Sequence, residues 1–432
     1  MYTSCKKDRQ LPMKKPVVMC CLISAMLLPV SQLYADLTLP VVESLALNDD
    51  PGVAASQARS LALSEAAIAE GQLSDPKLKF GVYNLPLDNF ELDREPTTQV
   101  RLGLQQTFPR GQTRRYKQEL AQWNATAEQH LTENKRRKVL RDVRGYYLEL
   151  YYQSRAGQVI DETRTLFAQL VDITRAHYAT GRVSQQDVLR ASLELSRLDD
   201  LHTKIRNEEE KNRASLAKWI GDAAMQPIEM RFPDLPELPE QEGLGLALPE
   251  HPLIRAETAR IESFNQGIRI AREQYKPGWT AGLEYRKRFG NDPGGDERAD
   301  MMAAMVSLDL PLFVANRQDR QFAASQRRAE AAHLTRSDRL RELQALLDSD
   351  YASWHRLGER SDLYDRQLLQ EARANSQASL KSYQSGVTEF TALMRARITE
   401  LDVRLDGLRI LTDRAKAQAR LLYLAGSSHE KI

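Results

Sequence analysis

The residues able to do chemistry are few in this sequence, and their spacing is unhelpful. The seven histidines, at positions 130, 177, 202, 251, 333, 355 and 429, are scattered. None is four residues from another, so no helix face carries a histidine pair for zinc. The three cysteines, Cys5, Cys20 and Cys21, all lie near the N-terminus. The body of the chain therefore has no thiolate nucleophile, no thiolate metal site and no disulfide. No Gly-rich phosphate loop occurs, so nucleotide hydrolysis has no seat. Asp199-Asp200 and Glu208-Glu209-Glu210 are acidic clusters. In surroundings rich in Lys and Arg they read as a solvated helix face rather than as cation ligands. The expectation is no enzyme, no metal site and no cofactor.

The elements around these residues are more informative. The chain has 432 residues, of which 42% are hydrophobic and 28% charged, and its mean hydropathy is −0.52. That excludes a bundle of membrane-spanning helices, each needing an apolar run of about 20 residues. It does not exclude a transmembrane β-barrel, whose alternating strands barely move the average. Lys plus Arg is 61 and Asp plus Glu is 59. This balance gives no electrostatic case for nucleic acid as a partner.

Residues 1–35 read as a secretory signal peptide. Lys14 and Lys15 precede the apolar run Pro16–Val30, and Leu33-Tyr34-Ala35 supplies a cleavage site. Translation from Met13 rather than Met1 fits this pattern. An N-terminal anchor would need a longer apolar run. Lipidation at Cys20 or Cys21 would need a small residue before the cysteine, and Met19 precedes Cys20.

The rest of the chain is a tandem duplication. Asp50-Pro51 pairs with His251-Pro252, and Asp75-Pro76 with Lys276-Pro277. Val100–Leu104 pairs with Ala304–Leu308, Tyr147 with Tyr351, and Tyr178–Gly181 with Tyr383–Gly386. The offset drifts only from 201 to 205. The expected division is a first repeat at 36–226, a Pro-rich linker at 227–249 and a second repeat at 250–432. The linker holds Pro227, Pro233, Pro236, Pro239 and Pro249 and reads as an extended connector.

Each repeat follows one order. An Ala-rich helix comes first, at about 53–73 and 253–275. Two strand-like stretches follow, 78–83 and 99–104 in the first copy, 279–285 and 301–310 in the second. Leu78, Phe80 and Val82, then Val100, Leu102 and Leu104, alternate with polar or small residues. The intervening segments 84–98 and 286–300 read as exposed loops. Then no proline occurs from Arg110 to Gln226, nor from Leu312 to Ile432. Both runs are rich in strong helix formers. Gly181 and Gly386 interrupt them where a helix end with positive φ is expected. Each run therefore predicts a hairpin of a longer and a shorter helix. The longer, over 113–177, would span roughly 98 Å. Helices of that length must bundle side by side. Ile398, Leu401, Leu405 and Leu408 show the apolar spacing this needs.

A leader, a duplication, and two strands followed by a helical hairpin resemble the TolC family of outer-membrane efflux proteins. The resemblance covers about residues 40–425 and is carried by Gln106–Arg115, Pro311–Arg317 and the two Tyr-x-x-Gly turns. Their Thr-Phe-Pro-Arg-Gly and Pro-Leu-Phe-x-x-Asn-Arg forms look most like the cobalt–zinc–cadmium branch. The resemblance implies a mainly α fold with a transmembrane β part, a TolC-like α/β-barrel. It implies four strands per chain and a homotrimer whose twelve strands close a barrel, because open strand edges are not tolerated in lipid. It also implies location in the outer membrane, in contact with its lipid and extending into the periplasm. The partners implied are a periplasmic adaptor and a proton-driven inner-membrane pump of the resistance-nodulation-division type. Heavy-metal cations are the first substrate class and small organic toxins the second.

The family's functional positions carry over by motif. Thr180, Gly181 and Arg182, with Ser385, Gly386 and Val387, become the adaptor-docking turns. Gate candidates are Asp187 and Arg190 in the first repeat, and Tyr383, Thr388 and Arg395 in the second. Multidrug members of the family have an arginine where Thr388 stands and an acidic lumen ring where Ala392 and Arg395 stand. Thr cannot supply a bidentate guanidinium, so the closed tip is expected to be held differently. The rival from another class is a soluble periplasmic coiled-coil protein, which has no use for the strand pairs.

Overall fold

The computed structural model describes residues 36–48 and 50–425. The signal peptide expected at 1–35 and its start site lie outside them. In chain order the elements are α1 (Leu39–Asn48), α2 (Pro51–Glu70), β1 (Lys77–Tyr83) and β2 (Gln99–Phe108). Helices α3 (Thr113–Ala179), α4 (Gln185–Ile220), α5 (Gln241–Ala247) and α6 (Pro252–Glu273) follow. The second repeat continues with β3 (Gly278–Arg288), β4 (Met301–Asp309), α7 (Gln318–Leu363), α8 (Leu369–Gln384) and α9 (Phe390–Leu424). Among the described residues no helix is long and apolar enough to cross a membrane.

The duplication is visible in how the helices begin and end. Asp50 caps α2, its carboxylate accepting from the Val53 amide at 2.6 Å. The equivalent residue His251 caps α6, Nδ1 accepting from the Leu253 amide at 3.3 Å. A proline follows each cap, where a missing N–H costs nothing. At 67 residues, α3 extends about 100 Å. Its counterpart is broken into α7 and α8 by one turn of π-helix at Tyr364–Leu368. The repeat offset explains the break. The buried pairs Val139/Leu343 and Val143/Leu347 hold an offset of 204, whereas Phe167/Ala372 and Val171/Ser376 hold 205. One residue has been inserted between them, and a π-turn absorbs one residue without rotating the buried stripe out of register.

The four strands form one antiparallel sheet in the order β1-β2-β3-β4. β2 and β3 run longer than the sequence pattern indicates, because ladder pairing carries them to Phe108 and Arg288, whereas β4 ends at Asp309, one residue short of the expected bound. One face carries Leu78, Phe80 and Val82 beside Leu104, Leu102 and Val100. Leu283 and Tyr285 continue that face on β3, paired with Ala304 and Met302 on β4. Most of these side chains are exposed, Phe80 at 75% and Met302 at 72%. Exposed apolar faces of this extent mark surfaces that meet a membrane or another protein. The loops joining β1 to β2 and β3 to β4 are tied by Arg298, which donates to the carbonyls of Asp93 (2.9 Å), Phe289 (2.9 Å) and Asn291 (3.1 Å).

Three apolar clusters hold the helices. The first gathers α1, the start of α2, the middle of α3 and the end of α4 around Val143, Tyr147 and Leu216. Tyr147 is 1% exposed and donates to the Leu37 carbonyl at 2.9 Å. The second joins the repeats, packing Ile160, Phe167 and Val171 of α3 against Leu198 of α4 and Leu393, Met394 and Leu401 of α9. Truncating Phe167 there would cost about 3–5 kcal/mol. The third packs Leu244 and Leu248 against Leu343, Leu347 and Leu421. It corrects the reading of 227–249 as extended throughout. Its C-terminal end folds as α5 and a 3-10 turn at Leu248–Glu250, with Pro249 near the start of that turn, because burying Leu244 and Leu248 outweighs the poor helix propensity of Gly243 and Gly245.

Candidate functional site: the paired helix tips

Both hairpin turns use the same backbone device. In the first, the Arg182 amide donates to the His177 carbonyl at 2.9 Å and the Gly181 amide to the Tyr178 carbonyl at 2.9 Å. In the second, the Val387 amide donates to Ser382 at 2.9 Å and the Gly386 amide to Tyr383 at 3.0 Å. This six-to-one and five-to-two pattern is a Schellman motif, which needs a left-handed residue. Gly181 and Gly386 supply it, with φ of +70° and +75°. A Cβ at either would meet nothing within 4 Å, so the glycines answer to φ alone. Thr180 and Ser385 close the last turns by donating their hydroxyls to carbonyls three residues back, at 3.0 and 3.1 Å. Arg182 is exposed, and Val387 is 77% exposed.

The tips lie side by side around a shallow depression. It is lined by His177, Ser184, Asp187 and Arg190 from the first hairpin, and by Tyr383, Thr388 and Phe390 from the second. Of the five gate candidates, four therefore come together. Arg395 does not: it is exposed on α9 and lies outside the depression. The Asp187 carboxylate is held by its own helix. It accepts from the Ser184 hydroxyl at 2.8 Å and amide at 3.2 Å, while the Asp187 amide donates to the Ser184 hydroxyl at 3.3 Å. This is a capping box. The Ser-x-x-Asp spacing at 184–187 carries its signature, and the sequence reading did not use it.

Tyr383 rests edge-on against Phe390, ring centroids 5.7 Å apart. Burial, then the negative charge of Asp187, raises the Tyr383 pKa, so the phenol stays protonated. Its Oη and the Thr388 Oγ1 are buried and meet no hydrogen-bond partner among the described residues. An unmet buried hydroxyl costs about 1–3 kcal/mol.

Two further places missed by sequence reasoning hold the tips at a distance from the sheet. At the strand-to-helix corner, Gly111 has φ +46°, and a Cβ there would fall 1.8 Å from Glu273 Oε2. Glu273 accepts from the Gln112 amide at 2.8 Å, and Arg110 donates to the Gln274 carbonyl at 2.6 Å. Phe108 stacks on Trp279 at 3.9 Å. The Thr-Phe-Pro-Arg-Gly run is thus a lock between the two repeats. Farther along α3, Glu149 accepts both guanidinium nitrogens of Arg409 at 2.8 and 2.9 Å, and Lys416 at 2.8 Å. Burial alone would raise the Glu149 pKa, but the bonds from Arg409 and Lys416 outweigh it and hold it at about 2.

Solved structures share this architecture at low identity. A membrane protein from Pseudomonas aeruginosa is 16% identical with a TM-score of 0.77, covering 91% of each chain. VceC from Vibrio cholerae is 18% identical with a TM-score of 0.75, over 90% of this chain and 96% of that one. The CmeC channel of Campylobacter jejuni is 13% identical with a TM-score of 0.74, over 91% and 86%. No curated relative matches the chain. The family model described as outer membrane efflux protein matches twice, over residues 42–222 and 243–427. The chain therefore belongs to the outer membrane efflux protein family, has a TolC-like fold, and resides in the outer membrane.

Proposed function

We propose that the chain is the exit duct of a tripartite efflux system, working as a homotrimer that conducts passively from the periplasmic side to the exterior. The observation that carries this is the sheet: an apolar outer face with two open edges, β1 and β4. Lipid tolerates neither edge, and twelve strands from three chains remove both. The internal repeat supports a specific closure. Within the chain, β2 of the first repeat pairs with β3 of the second, placing Leu104 opposite Leu283. Shifting each by its repeat offset pairs β4 with β1 of the next protomer and places Leu308 opposite Val82.

The two repeats, 36–226 and 250–432, each supply a hairpin, with 227–249 tying them. A proton-driven inner-membrane pump supplies energy, and a periplasmic adaptor docks at Thr180–Arg182 and Ser385–Val387. Asp187, Arg190, Tyr383 and Thr388 form the gate, with Arg395 toward the lumen. The unmet hydroxyls of Tyr383 and Thr388 support this, since a neighbouring protomer's tip can supply their partners. Metal cations are the first cargo class, on the strength of the Thr-Phe-Pro-Arg-Gly and Pro-Leu-Phe forms, and organic toxins the second.

The test is extraction from the outer-membrane fraction, size in detergent, and planar-bilayer conductance. A Val82→Cys, Leu308→Cys double variant is expected to cross-link into covalent trimers that conduct. A water-soluble monomer would overturn the duct and favour the coiled-coil protein.

A further inference from the structure

The polar face of the sheet carries an uneven charge. Its central rows run Lys79, Gly103, Glu284, Ala303 and Gly81, Arg101, Arg286, Met301 across the four strands. Lys77 stands in the next row. At the two ends of the same face Arg288 and Asp309 offset one another. The centre therefore has four cations against one carboxylate.

Arg101 and Arg286 are direct cross-strand neighbours. Like charges in that position are destabilising. Glu284 partly relieves them, 2.6 Å from Arg286 and 3.7 Å from Arg101. Arg101 also lies over the Tyr83 ring at 3.8 Å. One carboxylate shared by two guanidiniums leaves positive charge over. Lys79 lines the same groove as Glu284 and adds to that charge. Gly81 and Gly103 leave room on this face for Tyr83 and Glu284, the side chains a Cβ at either position would meet.

The apolar face must meet lipid, so this face lines the bore, and threefold closure repeats it as a belt. We propose that the strand-built mouth prefers anions, with Lys79, Arg101 and Arg286 as its specificity-determining residues. Cargo then crosses it as an anion or a neutral species, and a metal ion crosses as an anionic complex rather than bare. A confined belt of one sign carries a potential of several kT and enriches counter-ions about tenfold or more. This inference rests on the duct reading.

The experiment is reversal-potential measurement on the purified full-length protein in planar bilayers under a potassium chloride gradient. The expected result is chloride permeability exceeding potassium permeability roughly tenfold, falling as salt rises. The Lys79→Gln, Arg286→Gln double variant should bring the ratio toward one. Glu284→Gln should move it the other way, toward chloride. Opposite shifts separate a charge effect from damage to the fold, which would move both variants alike. A conducting trimer that prefers potassium, or variants that shift together, overturns this inference and leaves the duct standing. A chain that forms no conducting trimer overturns the duct reading itself.

Discussion

Glu149 ties the first repeat to the last helix, and replacing it with Gln should loosen that tie in a pH-dependent way. Its carboxylate is held at about 2, against an ordinary 4.5, by Arg409 and Lys416. A difference of that size corresponds to about 3 kcal/mol. Arg409 is 33% exposed, so solvent screening trims the figure to roughly 2 kcal/mol. The sign follows from the depressed folded-state pKa. The stabilisation is complete above about pH 4.5 and is lost as pH falls toward 2. Gln keeps the shape but not the charge. Glu149→Gln should therefore lower stability by roughly 2 kcal/mol at pH 7, and the deficit should vanish as pH approaches 2. The assay is the guanidinium midpoint of the detergent-solubilised protein, followed by far-ultraviolet dichroism at fixed protein concentration. A deficit that stays constant from pH 7 to 2 would refute the reasoning, because it would trace the loss to packing rather than to charge.

His251 gives a second acid limb in a separate window. Burial, then the charge of Arg137, lowers its pKa from 6.5 to about 4. With Nδ1 accepting at the α6 cap, the ring proton sits on Nε2, which faces the Tyr423 carbonyl at 3.2 Å. The neutral form is the one that fits, so its stabilisation is lost as pH falls from about 6.5 to 4. His251→Asn retains a cap and should remove that limb alone, leaving the Glu149 limb intact. Gly386→Ala places a Cβ at φ +75° and should cost about 1–2 kcal/mol; faster amide exchange confined to the second tip is the readout. Phe80→Arg puts a charge on the lipid face at a cost of roughly 2–4 kcal/mol and should reduce trimer recovered from the outer membrane. Lys79→Gln, one residue away on the opposite face, should assemble normally.

The sequence by itself determined the repeating plan. Proline-free runs, Gly181 and Gly386, and the period-two alternation in 78–83 and 99–104 are local facts, and local propensity turns them into hairpins and strands. Both turn glycines adopt positive φ because glycine, lacking a Cβ, does so at no steric cost. Even the π-turn was implicit in an offset that grows by one between the tyrosine pairs. What only the tertiary structure decided involves residues far apart in the chain. Glu149 and Arg409 are separated by 260 residues, and Gln112 and Glu273 by 161. No periodicity encodes a partner at that range. The extended reading of 227–249 failed at its end for the same reason, since Leu244 finds its buried place only against α7 and α9. Four gate candidates meet at the tips and Arg395 does not, because motif spacing fixes position along a helix but not which face the bundle turns inward. The charge of the bore was equally illegible. Lys79, Arg101, Glu284 and Arg286 become one belt only when strand register brings both repeats into a single sheet.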